Sequence, residues 1–332
     1  MNLFNKNYDF IAIGDIVTDA FIKIKEATVE DGADGAQKIC LRFGDKIPYE
    51  DVYVIPAVGN SANASVSASR LGLKSALVTN LGDDYYGKEC LDVLKKERVG
   101  TNFVKINKGK RTNYHYVLLF NEERTILIKH EEFEYSLPKI GSPKWIYLSS
   151  AGPGSLPFHS TIEKYLNEHP EVNLAFQPGT YQIKFGAAAL AGIYKRAGLF
   201  FCNREESQRI LRIREDDIKK LLAGIYNLGP KIVAITDGKK GAYLYDGEKM
   251  WFMPPYPDPK PPINRTGAGD AFSSTFTVAI LLGKSILEAL RWGPVNSMSV
   301  TQDMGARAGL LSREKLEELL EKAPPDYQPK LI

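Results

Sequence analysis

The stretch Asn264-Arg265-Thr266-Gly267-Ala268-Gly269-Asp270-Ala271-Phe272 runs directly into an apolar segment that ends at Leu282. Its small residues predict a tight loop at Gly267 to Gly269 that opens straight into a helix, and Gly283 predicts where that helix stops. A helix start carries free backbone N–H groups at the positive end of the macrodipole, which together form an anion site. Asp270 sets a carboxylate beside it. Two readings stay open on these residues alone. A carboxylate next to a bound phosphoryl group suits a base that takes a proton from an attacking hydroxyl. Alternatively, Asp270 only satisfies helix amides, and Gly267 and Gly269 only turn the chain.

The chain around this stretch has the composition of an ordinary soluble globular protein. It has 332 residues, 44% hydrophobic and 25% charged, enough for one large α/β domain with an insertion, or for two domains. With 43 basic and 40 acidic residues the net charge is +3, too even to point to nucleic acid or to an anionic membrane. Met1 to Asp9 is polar and gives no signal sequence, and no run approaches the roughly 18 apolar residues of a membrane span. Cys40, Cys90 and Cys202 are scattered, with no CxxC, which predicts a reduced cytoplasmic setting and no cysteine-bound metal. His115, His130, His159 and His169 show no metal-ligand spacing.

Phe10-Ile11-Ala12-Ile13-Gly14 reads as a buried parallel strand. Ligands of α/β sheets bind beyond the carboxyl ends of strands, so Asp15 and Asp19 stand where one would be met. Asp19 is the better candidate for recognising a hydroxyl, and a turn or capping role is the bland reading of either. From Ala20 to Ala57 short strands around Phe21, Ile39 and Val52 alternate with polar segments such as Glu30 to Gly35. Arg111 to Phe133 is again extended and aromatic, with a hairpin turn expected at Asn121-Glu122-Glu123. These two insertions predict a small sheet carried as a lid over an otherwise alternating β/α chain.

Gly59-Asn60-Ser61-Ala62-Asn63 opens a helix of small residues, in which the Asn60 and Asn63 amides suit either sugar hydroxyls or capping. After Pro138, strands near Trp145, Val172, Leu199 and Lys231 alternate with amphipathic helices, which predicts a parallel sheet with helices on both faces. A late hairpin turns at Asp246-Gly247, and Ser285 with Glu288 forms a capping-box pattern. Gly283-Lys284-Ser285 imitates a P-loop ending, but it follows a helix and lacks the upstream glycine, and no GxGxxG follows the first strand.

Together these motifs resemble the ribokinase-like, or phosphofructokinase-B-type, carbohydrate kinases over nearly the whole chain. Thr266-Gly267-Ala268-Gly269-Asp270-Ala271-Phe272 is similar to the family's C-terminal signature. Gly59 to Asn63 with Arg70-Leu71-Gly72, then Leu81-Gly82-Asp83-Asp84-Tyr85-Tyr86-Gly87, resembles its N-terminal one. Asn203-Arg204-Glu205-Glu206 resembles its NxxE element, and Thr236-Asp237-Gly238-Lys239-Lys240-Gly241 its nucleotide loop.

The resemblance implies a three-layer α/β/α fold with a mostly parallel central sheet plus a small β-sheet lid. The core would be 1–18, 58–110 and 134–332, and the lid 19–57 and 111–133. It implies transfer of the ATP γ-phosphoryl group to a primary hydroxyl of a sugar or sugar-like molecule. Asp270 would be the base, with Gly267, Ala268 and Gly269 as the anion hole. Asp19, Gly59, Asn60 and Asn63 would hold the acceptor. Asn203 with Glu206 would organise Mg²⁺, Glu206 through water, and Thr236, Gly238, Gly241 and Asn296 would line the ATP groove.

Two departures qualify the picture. Asn264-Arg265 stands where the family commonly has Asp-Thr, whose carboxylate helps bind a monovalent cation, so potassium activation is left open. Arg265 would supply fixed positive charge or be a solvated side chain. Val17 replaces a polar residue common in sugar-specific members. The lid aromatics Tyr53, Tyr114, Tyr116, Phe120 and Phe133 suggest an alternative, an adenosine-type nucleoside kinase. They equally suit the lid's own core or a homodimer through the lid, which would cover exposed strand edges. A non-catalytic sugar or nucleotide sensor on the same fold is the remote alternative.

Overall fold

The computed structural model describes residues 8–32, 37–121 and 123–332. Residues 33–36 of the expected polar segment, and Glu122 in the expected turn, lie outside them. Strand β1 (Phe10–Ile13) is buried at every position, because both faces of its sheet are covered. Phe10 and Ala12 pack into the apolar cluster on one face of the sheet, while Ile11 and Ile13 pack into the cluster on the other.

The remaining strands follow in order: β2 (Val17–Ile24), β3 (Thr28–Asp31), β4 (Gln37–Cys40), β5 (Tyr49–Val58), β6 (Ser75–Gly82), β7 (Val104–Asn107), β8 (Tyr114–Phe120) and β9 (Glu123–Leu127). Then come β10 (Trp145–Leu148), β11 (Asn173–Phe176), β12 (Ala197–Asn203), β13 (Ile232–Thr236), β14 (Ala242–Tyr245), β15 (Met250–Met253) and β16 (Lys330–Leu331). The main sheet has the order β16-β15-β14-β13-β12-β11-β10-β1-β6-β7. From β13 through β7 its neighbours pair parallel, and β14, β15 and β16 close the other edge antiparallel. One apolar cluster takes in α1 (Asn60–Arg70), α2 (Tyr85–Lys96), α8 (Ala268–Leu281), α9 (Ile286–Thr301) and α10 (Arg313–Glu321). The cluster on the opposite face takes in α3 (Leu156–Glu168), α5 (Ala191–Arg196), α6 (Arg204–Leu211) and α7 (Ile218–Tyr226), and the short helix α4 (Thr180–Phe185) follows β11. This is the three-layer α/β/α arrangement that the alternating pattern predicts.

A separate four-stranded sheet, β5-β2-β8-β9, is built from the two insertions, and β3 pairs with β4 as a further hairpin. In the four-stranded sheet β2 runs antiparallel to β5 and parallel to β8, and β8 turns back into β9. The lid sheet begins at Val17, two residues before the expected boundary at 19. The segment from Lys105, expected as a solvated loop, is strand β7 on the sheet edge, where half-exposed polar side chains are tolerated. Other boundaries follow the sequence closely: Asp84 caps α2, Ser285 and Glu288 form the capping box of α9, and Gly283 has φ 82° just after α8. Among the described residues no helix is long and apolar enough to cross a membrane.

Candidate active site

Asp270 sits in the first turn of α8, and its side chain is held from two other elements. Asn63 of α1 donates through Nδ2 to Asp270 Oδ2 at 2.8 Å, and Gln177 donates through Nε2 to Oδ1 at 3.0 Å. Burial pushes the Asp270 carboxyl above the usual range, against the pull of these two amides and of the Arg124 charge. Gln177 was not singled out in the sequence, although it directly follows β11. The rule that marked Asp15, that residues just past a parallel strand meet ligands, would have marked it too. Its Oε1 accepts from the Tyr147 hydroxyl and from Ser273 Oγ at 3.1 Å, which turns its amide nitrogen toward Asp270.

The loop before α8 is shaped for close approach. Gly267 has φ 82°, and a Cβ there would lie 2.5 Å from the Ala306 methyl, so only glycine fits. Gly269 meets nothing closer than Gln177 Nε2 at 3.8 Å, which leaves open space beside Asp270. Among the described residues no protein group accepts from the N–H of Gly267, Gly269 or Asp270. Donors in that state at a helix start suit an anion.

Three polar atoms nearby are buried without a partner among the described residues: Asp19 Oδ1, Asn63 Oδ1 and His115 Nε2. Asp19 lies directly opposite His115 in the parallel β2–β8 register, with Nδ1 of His115 3.5 Å from Asp19 Oδ1. Each unpaired buried polar group costs about 1–3 kcal/mol, so neighbouring orphans mark a place made for another molecule's hydrogen bonds. Gly59, at φ 107°, caps α1 where a Cβ would be 2.8 Å from the Asp15 carbonyl, and Asn60 is half-buried in the first turn. Asp15, marked in the sequence together with Asp19, is already satisfied. His130 Nδ1 lies 2.9 Å from its Oδ2, and the Tyr135 hydroxyl donates to it at 2.9–3.0 Å. Asp15 anchors the strand end, and Asp19 is the carboxylate with an oxygen to spare.

The expected nucleotide residues gather at the ends of β12 and β13, where Asn203 and Thr236 are paired in register. Asn203 Oδ1 accepts from Glu206 N at 2.7 Å and Glu206 Oε2 accepts from Asn203 N at 2.9 Å, a capping box that starts α6. Burial raises the Glu206 carboxyl above its ordinary value, and Asp270 adds to the rise. The Thr236–Gly241 loop is tied to the same helix by Arg204, whose Nη1 is 3.3 Å from Asp237 Oδ2. Gly238 is exposed, whereas Gly241 has φ 104° and faces the Met253 carbonyl too closely for a Cβ. Asn296 departs from expectation. It is fully buried, its Nδ2 donates to Thr275 Oγ1 at 2.8 Å and its Oδ1 accepts from Leu311 N at 3.0 Å. Both ends of that amide are used inside the protein, so it has no free face for an adenine.

The residue pair that departs from the family pattern is also explicit. Asn264 is buried, its Nδ2 donates to the Asp303 carbonyl at 2.5 Å, and its Oδ1 accepts from Thr266 N at 2.8 Å. Monovalent and divalent hard cations take oxygen ligands. An N–H₂ group aimed at the loop carbonyl does not fit one.

With this geometry in hand, three comparisons bear on identity. Residues 36–313 match the family model described as "pfkB family carbohydrate kinase". The chain is similar to a ribokinase of Bacillus subtilis, 28% identical over 273 residues that cover 79% of this chain and 87% of the relative. In three dimensions it is similar to Arabidopsis thaliana ribokinase complexed with ribose and ATP, with TM-score 0.79, 21% identity, and 95% and 99% of the two chains covered. It is also similar to the nucleoside kinase of Methanocaldococcus jannaschii, with TM-score 0.75, 17% identity, and 95% and 99% covered. The protein belongs to the pfkB family of carbohydrate kinases, phosphotransferases with an alcohol group as acceptor.

Proposed function

We propose that this protein transfers the γ-phosphoryl group of ATP to a primary hydroxyl of a sugar or sugar-like small molecule, with Asp270 as the base. The observation that carries this reading is a buried carboxylate, gripped by Asn63 and Gln177, in the first turn of a helix whose leading N–H groups are free. Asp270 takes the hydroxyl proton as the oxygen attacks, and its raised pKa makes it a more willing acceptor of that proton than an exposed carboxylate. The N–H groups of Gly267, Ala268 and Gly269 face the charge that builds on the transferring group, and fixed amides do so without reorganising. Asp19 Oδ1, Asn63 Oδ1 and His115 Nε2, with Asn60 and the glycine corner at Gly59, hold the acceptor hydroxyls. Thr236, Gly238 and Gly241 line the nucleotide groove. Asn203 and Glu206 fit a water-mediated Mg²⁺ site, because one carboxylate supplemented by waters and phosphate oxygens is how that ion is commonly held. When bound, Mg²⁺ would neutralise charge on the phosphates. The lid excludes water, which would otherwise compete as acceptor.

The nucleoside alternative rests on lid aromatics, and the register argues against it. Residues directly opposite one another share a face, so Asp19, Ile55 and His115 lie on one face of the lid, with Phe21, Tyr53 and Val117 two residues further on. Tyr114, Tyr116 and Phe120 belong to the opposite face, away from Asp19. Of the paired aromatics named in the sequence, only Tyr53 shares the acceptor face. The outer face instead carries Val52, Val54, Tyr116 and Leu127, all more than a third exposed, which supports a homodimer through the lid. A coupled ADP-release panel with ribose, fructose, 2-keto-3-deoxygluconate, their phosphates, adenosine, cytidine and inosine tests the assignment. Turnover confined to nucleosides overturns the sugar preference, and no turnover with any acceptor favours the sensor.

A further inference from the structure

We propose that the side-chain amide of Asn264 takes the place of a monovalent cation in this protein, so that the anion loop needs none to be held in its working shape. The inference rests on the kinase reading for its catalytic consequence, and on geometry alone for its structural one.

The carbonyls that would have to surround a cation next to the Gly267 loop belong to the turn after α9. Among the described residues, four of them are already claimed by protein donors. Asn264 Nδ2 donates to Asp303 O at 2.5 Å. Arg70 Nη1, from the last turn of α1, reaches Arg307 O at 3.2 Å, Ala308 O at 3.3 Å and Leu310 O at 2.6 Å. Arg70 is itself fixed by a two-point pairing with Glu97, at 2.9 Å from Nε and 2.7 Å from Nη2. Carbonyl oxygens satisfied by an amide and a guanidinium carry less negative potential for an ion, and the amide hydrogens point where the ion would sit.

The orientation of the Asn264 amide is not arbitrary. Thr266 N donates to one end at 2.8 Å, which makes that end the oxygen and leaves the nitrogen for Asp303. One side chain therefore spans the two segments: the oxygen holds Thr266, immediately before Gly267, and the nitrogen holds the turn at Asp303. The backbone closes the same joint, since Ile263 N donates to Thr301 O at 2.8 Å. The turn also presses on the anion loop directly, because Gly267 has room for no side chain against Ala306. A further arginine carries the joint to the lid, with Arg307 Nη1 donating to Pro56 O at 3.0 Å and Ala57 O at 2.7 Å at the end of β5. Neutral amide chemistry thus does at Asn264 what a carboxylate and a cation would do together. It does so without an ion that salt composition could remove. Asn264 is a positioning residue: it reaches the phosphoryl group only through Thr266 and Gly267.

The experiment compares the full-length protein with Asn264→Asp, in potassium, sodium and tetramethylammonium chloride at one ionic strength. Melting is followed first, because it needs no substrate. The wild type should melt at the same temperature in all three salts. Asn264→Asp, which loses the donor and sets a carboxylate against the Asp303 carbonyl, should melt lower in tetramethylammonium. Potassium should raise it again by a few degrees, as expected for a ligand that binds only the folded state. Turnover is then measured with the acceptor found active. Wild-type rates should agree within about twofold among the salts, as expected where no cation contributes binding energy. The variant should lose kcat on the order of tenfold in tetramethylammonium, with the acceptor KM unchanged and the rate rescued by potassium. A potassium-specific rise in wild-type melting or rate overturns the proposal, as does a variant that potassium neither stabilises nor rescues. If Asn264→Asp does not fold in any salt, the wild-type melting comparison alone decides. Absence of turnover in every salt would count against the kinase reading, while the melting comparison still judges the inference about Asn264.

Discussion

Strands β1 and β10 are buried at all four of their residues, whereas β5 is exposed at each of its first six. Both regions are sheet, and both are rich in Val, Ile and Tyr. The difference lies in what covers them. The core strands have helices on both faces, so every side chain finds a partner and every polar atom that remains unpaired there stands out. The lid strands pack on one face only, and the outer face leaves Val54 and Tyr116 each 48% exposed. A core that is complete within one chain can hold Asp270 to within hydrogen-bond tolerance from three elements at once. A lid that is incomplete can close, open or pair with a second copy. The contrast suggests a division in which the core supplies precision and the lid supplies enclosure.

The sharpest way to break this contrast is to remove the carboxylate that the core positions. Asp270→Asn should lower kcat by about 10²–10⁴ while leaving acceptor KM nearly unchanged, measured by coupled ADP release. The same change should raise the melting temperature. The folded carboxyl is raised above its unfolded value, so its stabilising contribution belongs to low pH and is lost as pH rises through the folded value. At neutral pH the wild type therefore carries the cost of a buried charge that the amide does not.

Next in size is Gln177→Leu, which keeps the volume and removes one donor to Asp270. Losing a hydrogen bond to the ionised form raises the carboxyl further, so the acid limb of kcat/KM should move to higher pH. Expected is a loss of roughly tenfold below neutrality that shrinks toward pH 8, since a shift of one pH unit is tenfold on the limb. A uniform loss at all pH values would mean that Gln177 acts only through packing.

On the lid side, Val54→Asp combined with Tyr116→Asp should halve the mass measured by light scattering, because charges on an apolar face oppose its burial. Activity should change by only a few-fold, through acceptor KM. An unchanged mass would remove lid pairing. The smallest effect is chemical. Burial pushes the Cys90 thiol up to about 11 and raises Cys202 well above its ordinary value, while half-buried Cys40 sits on the β3–β4 hairpin. At pH 8 the native protein should therefore take up one equivalent of iodoacetamide at Cys40, and the unfolded protein three, read by intact mass.

Much of this architecture was legible in the residues because the signals were local. Continuous apolar runs such as Phe10–Ile13 need no knowledge of their neighbours to read as buried parallel strands. Gly267 and Gly283 bracket a helix by backbone freedom alone, and Ser285 with Glu288 announces its own cap. The two insertions declared themselves by changing period from helix to strand. What did not show was any role set by distance. Gln177, Tyr147 and Ser273 lie far apart in sequence and meet only because β10, β11 and α8 converge on one end of the sheet. Asp15 and Asp19 look alike in the chain, yet His130 and Tyr135 from a distant segment satisfy the first and leave the second free. Asn296 carries the same amide as Asn63, but one is sealed between Thr275 and Leu311 and the other faces Asp270.

The sequence by itself determined the family, the order of strands and helices, and the identity of the carboxylate beside the glycine loop, since each follows from neighbours within a few residues. Only the tertiary structure decided which polar atoms are left unpaired, which face of the lid the aromatics occupy, and that Asn264 bridges Thr266 to Asp303. Those are properties of groups brought together across the fold, where hydrogen bonds are made or missed by tenths of an ångström.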